Sequence, residues 1–177
     1  MVEIIGAEGE IKNTKVFLEK IKSFSEENNV EIAVLDAEKV FGKEHLISAV
    51  EHTLRTFERK RNISNSLTTE ILVYASCERQ IKSAIEKMGI KDGNKKIAVV
   101  IIGKTDGGQH KCEEEFHQNL SKSEKLLSFL HLRRNDSVLE NDINALKDFG
   151  ITENEINSAH NPKDLILERI ALLDVRK

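Results

Sequence analysis

The longest uninterrupted apolar run in this sequence is IAVVII at residues 97–102, and it is the feature that most restricts the fold. Six residues fall far short of the roughly 20 apolar residues of a membrane-spanning helix, so the run predicts a strand buried inside a sheet. A second segment, at residues 30–35, alternates valine and isoleucine on one face and carries Ala33 and Leu35 on the other. Apolar residues on both faces predict a second interior strand.

The composition is that of a folded globular protein. The 177 residues are 39% hydrophobic and 32% charged, which predicts a single domain over residues 1–177 with a real core. With no Trp and one Tyr, an aromatic-lined sugar or drug-type pocket is not expected. The first residues lack a basic region followed by an apolar one, so no signal peptide is predicted. Cys77 and Cys112 match no disulfide or zinc pattern, which favours a reducing, cytoplasmic location.

Strand and helix patterns alternate along the chain. They predict an α/β (mixed α+β) fold with one small sheet of about four strands flanked by helices and a helical C-terminal part. Strands are expected at residues 2–5, 30–35, 70–75 (EILVYA) and 96–102. Helices are expected after Asn13 or Thr14, from Lys43 to Arg61, from Ser76 to Gly89, within 112–131, at 139–149, after the Thr152-x-x-Glu155 capping box and after Asn161-Pro162.

The octet RTFERKRN at residues 55–62 concentrates positive charge. Four cationic side chains stand against one glutamate, a net charge of 4 − 1 = +3, in a chain whose formal charge is −3. On a helix that runs to Arg61, the residues Arg55, Arg59 and Asn62 would lie at i, i+4 and i+7 and share one face. Cations also favour the C-terminus of a helix on electrostatic grounds, so a merely solvated helix end is the alternative.

A second polar feature follows the expected strand EILVYA. The chain there enters SCERQ at residues 76–80, the expected start of the next helix, where free amides attract anions such as phosphate. Arg79 and Lys82 add positive charge, and the amide of Gln80 can hydrogen-bond a base edge. This second feature favours the functional interpretation of the basic octet.

Three patterns that could indicate catalysis or metal binding are incomplete. GKT at residues 103–105 follows a strand but lacks the first glycine of a phosphate-binding loop. His110, Cys112 and His117 match no known spacing of metal ligands. Cys77 lacks the surroundings of a catalytic nucleophile. We therefore expect no catalytic residue, metal, cofactor or small-molecule substrate, and the alternative is a small-molecule enzyme of unknown chemistry.

The last helix, DLILERIALLDV, carries apolar residues on more than one face. Burial in the core is one explanation. The other is that one face docks on a partner, since a wide apolar surface needs cover. The residues expected at such an interface are Leu165, Leu167, Ile170, Leu172 and Leu173.

Three stretches together resemble one known family. They are RTFERKRNISNSLTTEILVYASCERQIKSAIEKMGI at residues 55–90, DFGITENEI at 148–156 and LILERIALLDV at 165–175. The first is similar to the central signature of the PRPK-binding protein family, the small kinase-binding subunit of the KEOPS complex. The resemblance covers most of the chain from about Leu46 onward, except residues 104–137, and rests on distributed residues rather than on one motif.

The resemblance implies a non-catalytic subunit that binds the small atypical kinase/ATPase of the complex. It also implies recruitment of tRNA through its single-stranded 3′ CCA end, for threonylcarbamoylation of the adenosine next to the anticodon. Single-stranded RNA usually stacks on aromatic side chains. Tyr74 and Phe57 are the only nearby candidates, and Phe57 is expected to be buried, which favours recognition of a short end over a general RNA-binding module. The residues expected to contact tRNA, as neighbours in space, are Arg55, Arg59, Lys60, Arg61, Asn62, Arg79, Gln80 and Lys82.

Overall fold

The computed structural model describes residues 2–104 and 116–175, with side chains described at 2–104 and 122–175. Its centre is an antiparallel sheet of four strands in the order β2-β3-β1-β4. The strands are β1 Val2–Glu8, β2 Val30–Asp36, β3 Lys96–Gly103 and β4 Arg133–Arg134. Strand β3 pairs along its length with both β1 and β2, so that Val99 lies opposite Ile5 and Val34. The central position of β3 explains its unbroken apolar sequence.

Helices cover both faces of this sheet, so the predicted mixed α+β fold with about four strands is confirmed. The α-helices in the described residues are α1 Thr14–Asn28, α2 Lys43–Glu58, α3 Leu67–Ser76, α4 Ile81–Met88, α5 Phe116–Leu130, α6 Glu153–Ser158 and α7 Asp164–Val175. Short 3₁₀ helices occupy Ala37–Lys39, Asp136–Leu139 and Ile143–Phe149. No helix in this described part is long and apolar enough to span a membrane.

Alternate residues of the sheet point into two separate cores. On one face, Ile5 and Val99 pack with buried residues of α1 and α5. On the other face, Ile4 and Val100 pack with the larger helical layer of α2, α3, α4 and α7. The larger layer holds every residue predicted to contact tRNA or a partner protein, and α3 lies at its centre.

The prediction of a strand at EILVYA is wrong, because this segment is the body of α3. All residues from Glu70 to Ser76 are buried, so the helix has no solvated side to give its sequence a period of 3.6. The fourth strand is instead Arg133–Arg134, which pairs with the end of β1. Two residues are too few for any alternating pattern to reveal a strand.

Several predicted helix ends are confirmed. The side chain of Asn13 accepts a hydrogen bond from the amide of Val16 and caps α1. Thr152 and Glu155 form the complete capping box of α6. The predicted helix at 139–149 is wrong in type, because residues Ile143–Phe149 form a 3₁₀ helix, which Gly150 ends in the left-handed conformation (φ 71°).

Candidate functional site

Helix α2 ends at Glu58, earlier than predicted, and the second half of the basic octet forms a turn instead of continuing one helical face. Lys60 adopts the left-handed conformation (φ 53°), its amide donates to the carbonyl of Phe57, and the amide of Arg61 donates to the carbonyl of Thr56. This pair of hydrogen bonds is a Schellman motif, which closes a helix and reverses the chain. The prediction that Asn62 shares a helix face with Arg55 is therefore wrong, since the helix ends at Glu58.

A buried carboxylate fastens the loop that follows, at residues 59–66. Glu70 is fully buried in the first turn of α3. Its two oxygens accept hydrogen bonds of 3.0 Å from the amide of Ile63, and Oε2 accepts one of 2.7 Å from the amide of Ser64. The side-chain amide of Asn62 donates to the carbonyl of Ser64 at 2.9 Å. The loop is thus held by its backbone, a role for Glu70 that the sequence did not reveal.

The cations of this loop remain available. Arg55, Arg59, Lys60 and Arg61 are all exposed, and across the part of the chain that the structure describes none of them forms an ion pair. Other lysines of the protein do, for example Lys39 with Asp148 at 2.6 Å. Arg55 lies in the last turn of α2, and Arg59, Lys60, Arg61 and Asn62 lie in the loop at 59–66. We call these five residues together with that loop the arginine loop.

The second predicted group lies at the other end of α3. The chain leaves α3 through another Schellman motif, in which Cys77 has φ 57° and the amide of Glu78 donates to the carbonyl of Val73. Helix α4 then begins after Gln80, whose side chain forms no cap, so the prediction that Ser76 caps this helix is wrong. Ser76 is the last residue of α3.

The length of α3 separates the two predicted groups. Ten helical residues rise about 15 Å, and the arginine loop precedes the helix while Arg79, Gln80 and Lys82 follow it. The expectation that the two groups are neighbours in space is therefore wrong. It rested on EILVYA being a strand. At the second end much of the charge is also compensated, because Glu78 pairs with Lys87 at 2.9 Å and Lys82 lies 3.9 Å from Glu86.

A neutral histidine joins the end of α3 to the start of α2. The Nδ1 atom of His45 accepts from the amide of Phe41 at 3.2 Å, so Nε2 carries the hydrogen and donates to the carbonyl of Ala75 at 2.8 Å. Complete burial lowers the pKa of His45 to about 4. Burial also raises the pKa of the neighbouring thiol, Cys77, to about 12, so this sulfur is a protonated, packed group.

Neither aromatic candidate for base stacking is an exposed side chain. Tyr74 is fully buried, its hydroxyl donates to Asp174 in α7, and burial raises its pKa. The Nδ1 atom of His52 lies 2.7 Å from the other oxygen of Asp174. Tyr74 is therefore an anchor between helices instead of a stacking platform, and Phe57 is half-buried. Ile63 in the arginine loop is 37% exposed and offers an apolar contact there.

Helix α7 divides its apolar residues between the core and the surface. Ile166, Ile170 and Leu173 follow an i, i+4, i+7 stripe and are buried. The assignment of Ile170 and Leu173 to a partner interface is therefore corrected, because both side chains belong to the core of this chain. The other three predicted interface residues, Leu165, Leu167 and Leu172, are half-buried and flank the stripe.

The structure describes only some residues of the incomplete catalytic and metal-binding patterns. Lys104 pairs with Glu31 at 3.0 Å. Thr105, His110 and Cys112 lie outside the described residues, as does the side chain of His117. Where side chains are described, no three histidine, cysteine or carboxylate residues are grouped as metal ligands would be.

Comparison with known proteins identifies the family. The family described as kinase binding protein CGI-121 matches residues 9–174, so this chain belongs to it, and the family predicted from the sequence is confirmed. One relative is the regulatory protein Cgi121 of Methanocaldococcus jannaschii. It is 34% identical over 145 residues, which are 81% of this chain and 83% of the relative.

Proposed function

We propose that this protein is a non-catalytic, cytoplasmic subunit of the KEOPS complex, which binds the small kinase/ATPase subunit and recruits tRNA by its 3′ CCA end. The observation that carries the RNA-binding part is the arginine loop. Its four cations are exposed and have no ion pair within the described residues, while its backbone is held by buried Glu70. The kinase-binding part rests on membership of the CGI-121 family.

The arginine loop suits a short single strand better than a duplex. Arginine binds phosphate through two parallel N–H groups and also stacks on bases. Ile63 adds an apolar contact, and a loop already held in place loses little conformational freedom when it binds. With few cations and no exposed aromatic residue in the loop, its affinity alone should be weak, as suits a subunit that acts within an assembly.

The RNA-binding proposal is tested with two forms of one tRNA. Binding of the purified protein to intact tRNA is compared with binding to the same tRNA lacking its terminal CCA, by gel shift at low salt. We expect clear binding of the first and a large loss for the second. Equal affinity for both would show a contact with the body of the tRNA and refute recognition of the 3′ end.

We propose the half-buried flank of α7 as part of the kinase interface. Leu165, Leu167 and Leu172 lie beside the buried stripe, and Asp174 holds the end of the helix to Tyr74. Removing the chain from residue 172 onward would be a poor test, because it deletes core residue Leu173 and this anchor.

Single substitutions give a cleaner test of the α7 interface. We expect Leu167→Arg and Leu172→Arg to weaken a pull-down of the kinase subunit while leaving tRNA binding unchanged. Leu18→Arg, at an exposed leucine of α1 on the opposite side of the sheet, is the control. If both α7 variants remain folded by thermal unfolding and bind the kinase at full strength, the interface lies elsewhere.

A further inference from the structure

Two loops at one end of the sheet are fastened to each other. They connect β1 to α1 and α4 to β3. The amide of Gly9 donates to the carbonyl of Lys95, and the amide of Ile11 donates to that of Asn94, both at 3.0 Å. In return the amide of Gly93 donates to the carbonyl of Ile11 at 2.7 Å. These backbone hydrogen bonds make the two loops one platform.

Asp92 connects the platform to the first helix, α1, by hydrogen bonds. The carboxylate of Asp92 accepts hydrogen bonds from the amide and the hydroxyl of Thr14, at 2.7 and 2.6 Å. These hydrogen bonds hold the pKa of Asp92 below its ordinary value. The carboxylate is therefore directed at α1.

The surface of this platform is rich in lysine. Residues 10–15 and 91–96 contain five lysines, one glutamate and one aspartate, a net charge of 5 − 2 = +3. All five lysines are exposed: Lys12, Lys15, Lys91, Lys95 and Lys96. Lys96 lies 3.8 Å from Glu38 and Lys91 donates to the carbonyl of Glu86.

The other three lysines of the platform have no partner of this kind. Among the described residues Lys12, Lys15 and Lys95 form no ion pair. We call the two loops together with all five lysines, Lys12, Lys15, Lys91, Lys95 and Lys96, the lysine platform. The two hydrogen-bonded loops and the first turn of α1 thus present three lysines without an ion pair among the described residues.

The chemistry of the lysine platform favours a polyanion over a protein partner. Lysine is depleted from protein–protein interfaces, whose centres are aromatic and apolar, and neither loop carries an aromatic residue or an arginine. A lysine ammonium is a point charge that suits a phosphate without reading bases. The composition of the platform therefore favours phosphate groups over an apolar protein surface.

We propose that the lysine platform is a second RNA-binding surface, which contacts the phosphate backbone of the double-helical part of the tRNA. The inference rests on the proposed function, since it assigns a second contact to the same RNA. The arginine loop would bind the single-stranded end, and the platform would add a contact that is independent of sequence. Such contacts release counterions, so their contribution should depend strongly on salt.

The test uses three RNA probes: intact tRNA, a blunt RNA hairpin without a 3′ tail, and a short single strand ending in CCA. The double variant Lys12→Glu/Lys95→Glu is compared with Lys122→Glu/Lys125→Glu, which makes the same change of charge on α5. Lys12, Lys95 and Lys125 are exposed and Lys122 is half-buried. Both double variants should remain folded, because a single surface substitution changes stability by about 0.5 kcal/mol or less, and thermal unfolding of each variant checks this.

We expect the platform variant to bind intact tRNA and the hairpin about tenfold more weakly at low salt, with a salt slope smaller by about 0.9 for each phosphate that it no longer neutralises. Its binding of the single strand should be unchanged. Equal hairpin binding by both double variants would overturn the inference. So would a platform variant that loses only its affinity for the kinase subunit, because the partner would then be a protein.

The same experiment separates this inference from the proposed function. If the wild-type protein binds the hairpin through the platform but ignores the CCA strand, recognition of the 3′ end fails and the platform stands. If the strand binds and the platform variant behaves as its control does on every probe, the platform fails and recognition of the 3′ end stands.

Discussion

Both ends of α3 carry charged residues, but the charges near its start are left without ion pairs in the described residues, whereas much of the charge at its end is compensated. At its start, a buried carboxylate, Glu70, accepts backbone amides, and four cations of the arginine loop remain without ion pairs in the described residues. At its end, a neutral histidine, His45, holds the backbone, and Glu78 is paired with Lys87. A charged cluster is thus a candidate site only where the structure leaves its charges uncompensated.

A left-handed turn lies near each end of α3: one closes α2 before the loop that leads into α3, and the other closes α3 itself. Lys60 and Cys77 both occupy the left-handed position of a Schellman motif, where glycine is the usual residue. A left-handed residue other than glycine costs on the order of 1 kcal/mol. The surrounding hydrogen bonds offset this cost at both ends, so the difference between the ends lies in the side chains that they present.

The largest expected effect is a loss of stability on substitution of Glu70, at the start of α3. Glu70→Ala leaves the amides of Ile63 and Ser64 without their acceptor and opens a cavity. We expect a loss of about 3 kcal/mol in the free energy of unfolding, measured by urea denaturation. Glu70→Gln, which keeps one acceptor oxygen, should lose less.

The matched control for this prediction is Glu51→Ala, at an exposed glutamate of α2. Its stability should change by about 0.5 kcal/mol or less. If Glu70→Ala is no more harmful than this control, the arginine loop is not held by Glu70, and the contrast between the two ends of α3 disappears.

The next effect concerns the end of α3 and depends on pH. The folded protein holds the pKa of His45 at about 4, against 6.5 in an unfolded chain, so between these values the unfolded state binds more protons. The contribution of His45 to the free energy of unfolding is therefore fully present above about pH 6.5 and decreases as the pH falls. The loss should reach about 2 kcal/mol by about pH 5.

Urea denaturation at several pH values measures this dependence. His45→Gln removes the titrating group, so its stability should fall less between neutral pH and about pH 5 than that of the wild-type protein. His160→Gln, at an exposed histidine, should retain the wild-type profile. Parallel profiles for all three proteins would contradict the neutral, buried state of His45.

A smaller effect, on RNA binding, tests the uncompensated charges directly. Arg59→Glu and Arg61→Glu should each weaken tRNA binding roughly tenfold at low salt. The slope of log K against log salt concentration should also become smaller by about 0.7 for each phosphate that is no longer neutralised. Gel shifts over a range of salt concentrations measure both quantities. Lys125→Glu, which changes charge equally on α5, should leave binding close to that of the wild-type protein. Wild-type affinity in both arginine variants would make the arginine loop a solvated helix end.

The smallest expected effect is on tRNA binding by a variant at Gln80, and it tests whether the two ends of α3 act separately. Gln80 is exposed beyond the far end of α3, a helix about 15 Å long that separates it in the chain from the arginine loop. Gln80→Ala should therefore reduce tRNA affinity less than twofold, by about 0.4 kcal/mol at most, in the same gel shifts. A loss as large as that of Arg59→Glu, with little change in salt dependence, would show that the RNA passes along α3 and that Gln80 contacts a base.

Local signals predicted much of the fold. Strand β3 was evident because its sequence is apolar throughout, and the caps at Asn13 and Thr152 act over three residues. The start of α3 carried a cap at Ser66 as well, with Glu70 in the first turn. The prediction of a strand did not take this helix start into account and rested on the apolar run ILVYA at residues 71–75, which is as typical of a buried helix as of a strand.

The candidate sites were less predictable, because their geometry depends on residues distant in sequence. Glu70 acts on amides six and seven residues before it, and Asp174 holds Tyr74 from 100 residues away. The burial of Ile170 and Leu173 depends on which side of α7 faces the core. The ends of α2 and α3 were misplaced because their left-handed residues are a lysine and a cysteine, where a glycine would have marked the turn.

The sequence by itself determined the fold class, the strands β2 and β3, the family and the concentration of cations at residues 55–61. These follow from composition and from patterns that act within a few residues. Only the tertiary structure decided that EILVYA is a helix, that this helix separates the two groups predicted to bind tRNA, and that two loops form the lysine platform. The physical reason is that a helix buried on all sides shows no periodicity, and whether a charge is compensated depends on what the folded chain brings beside it.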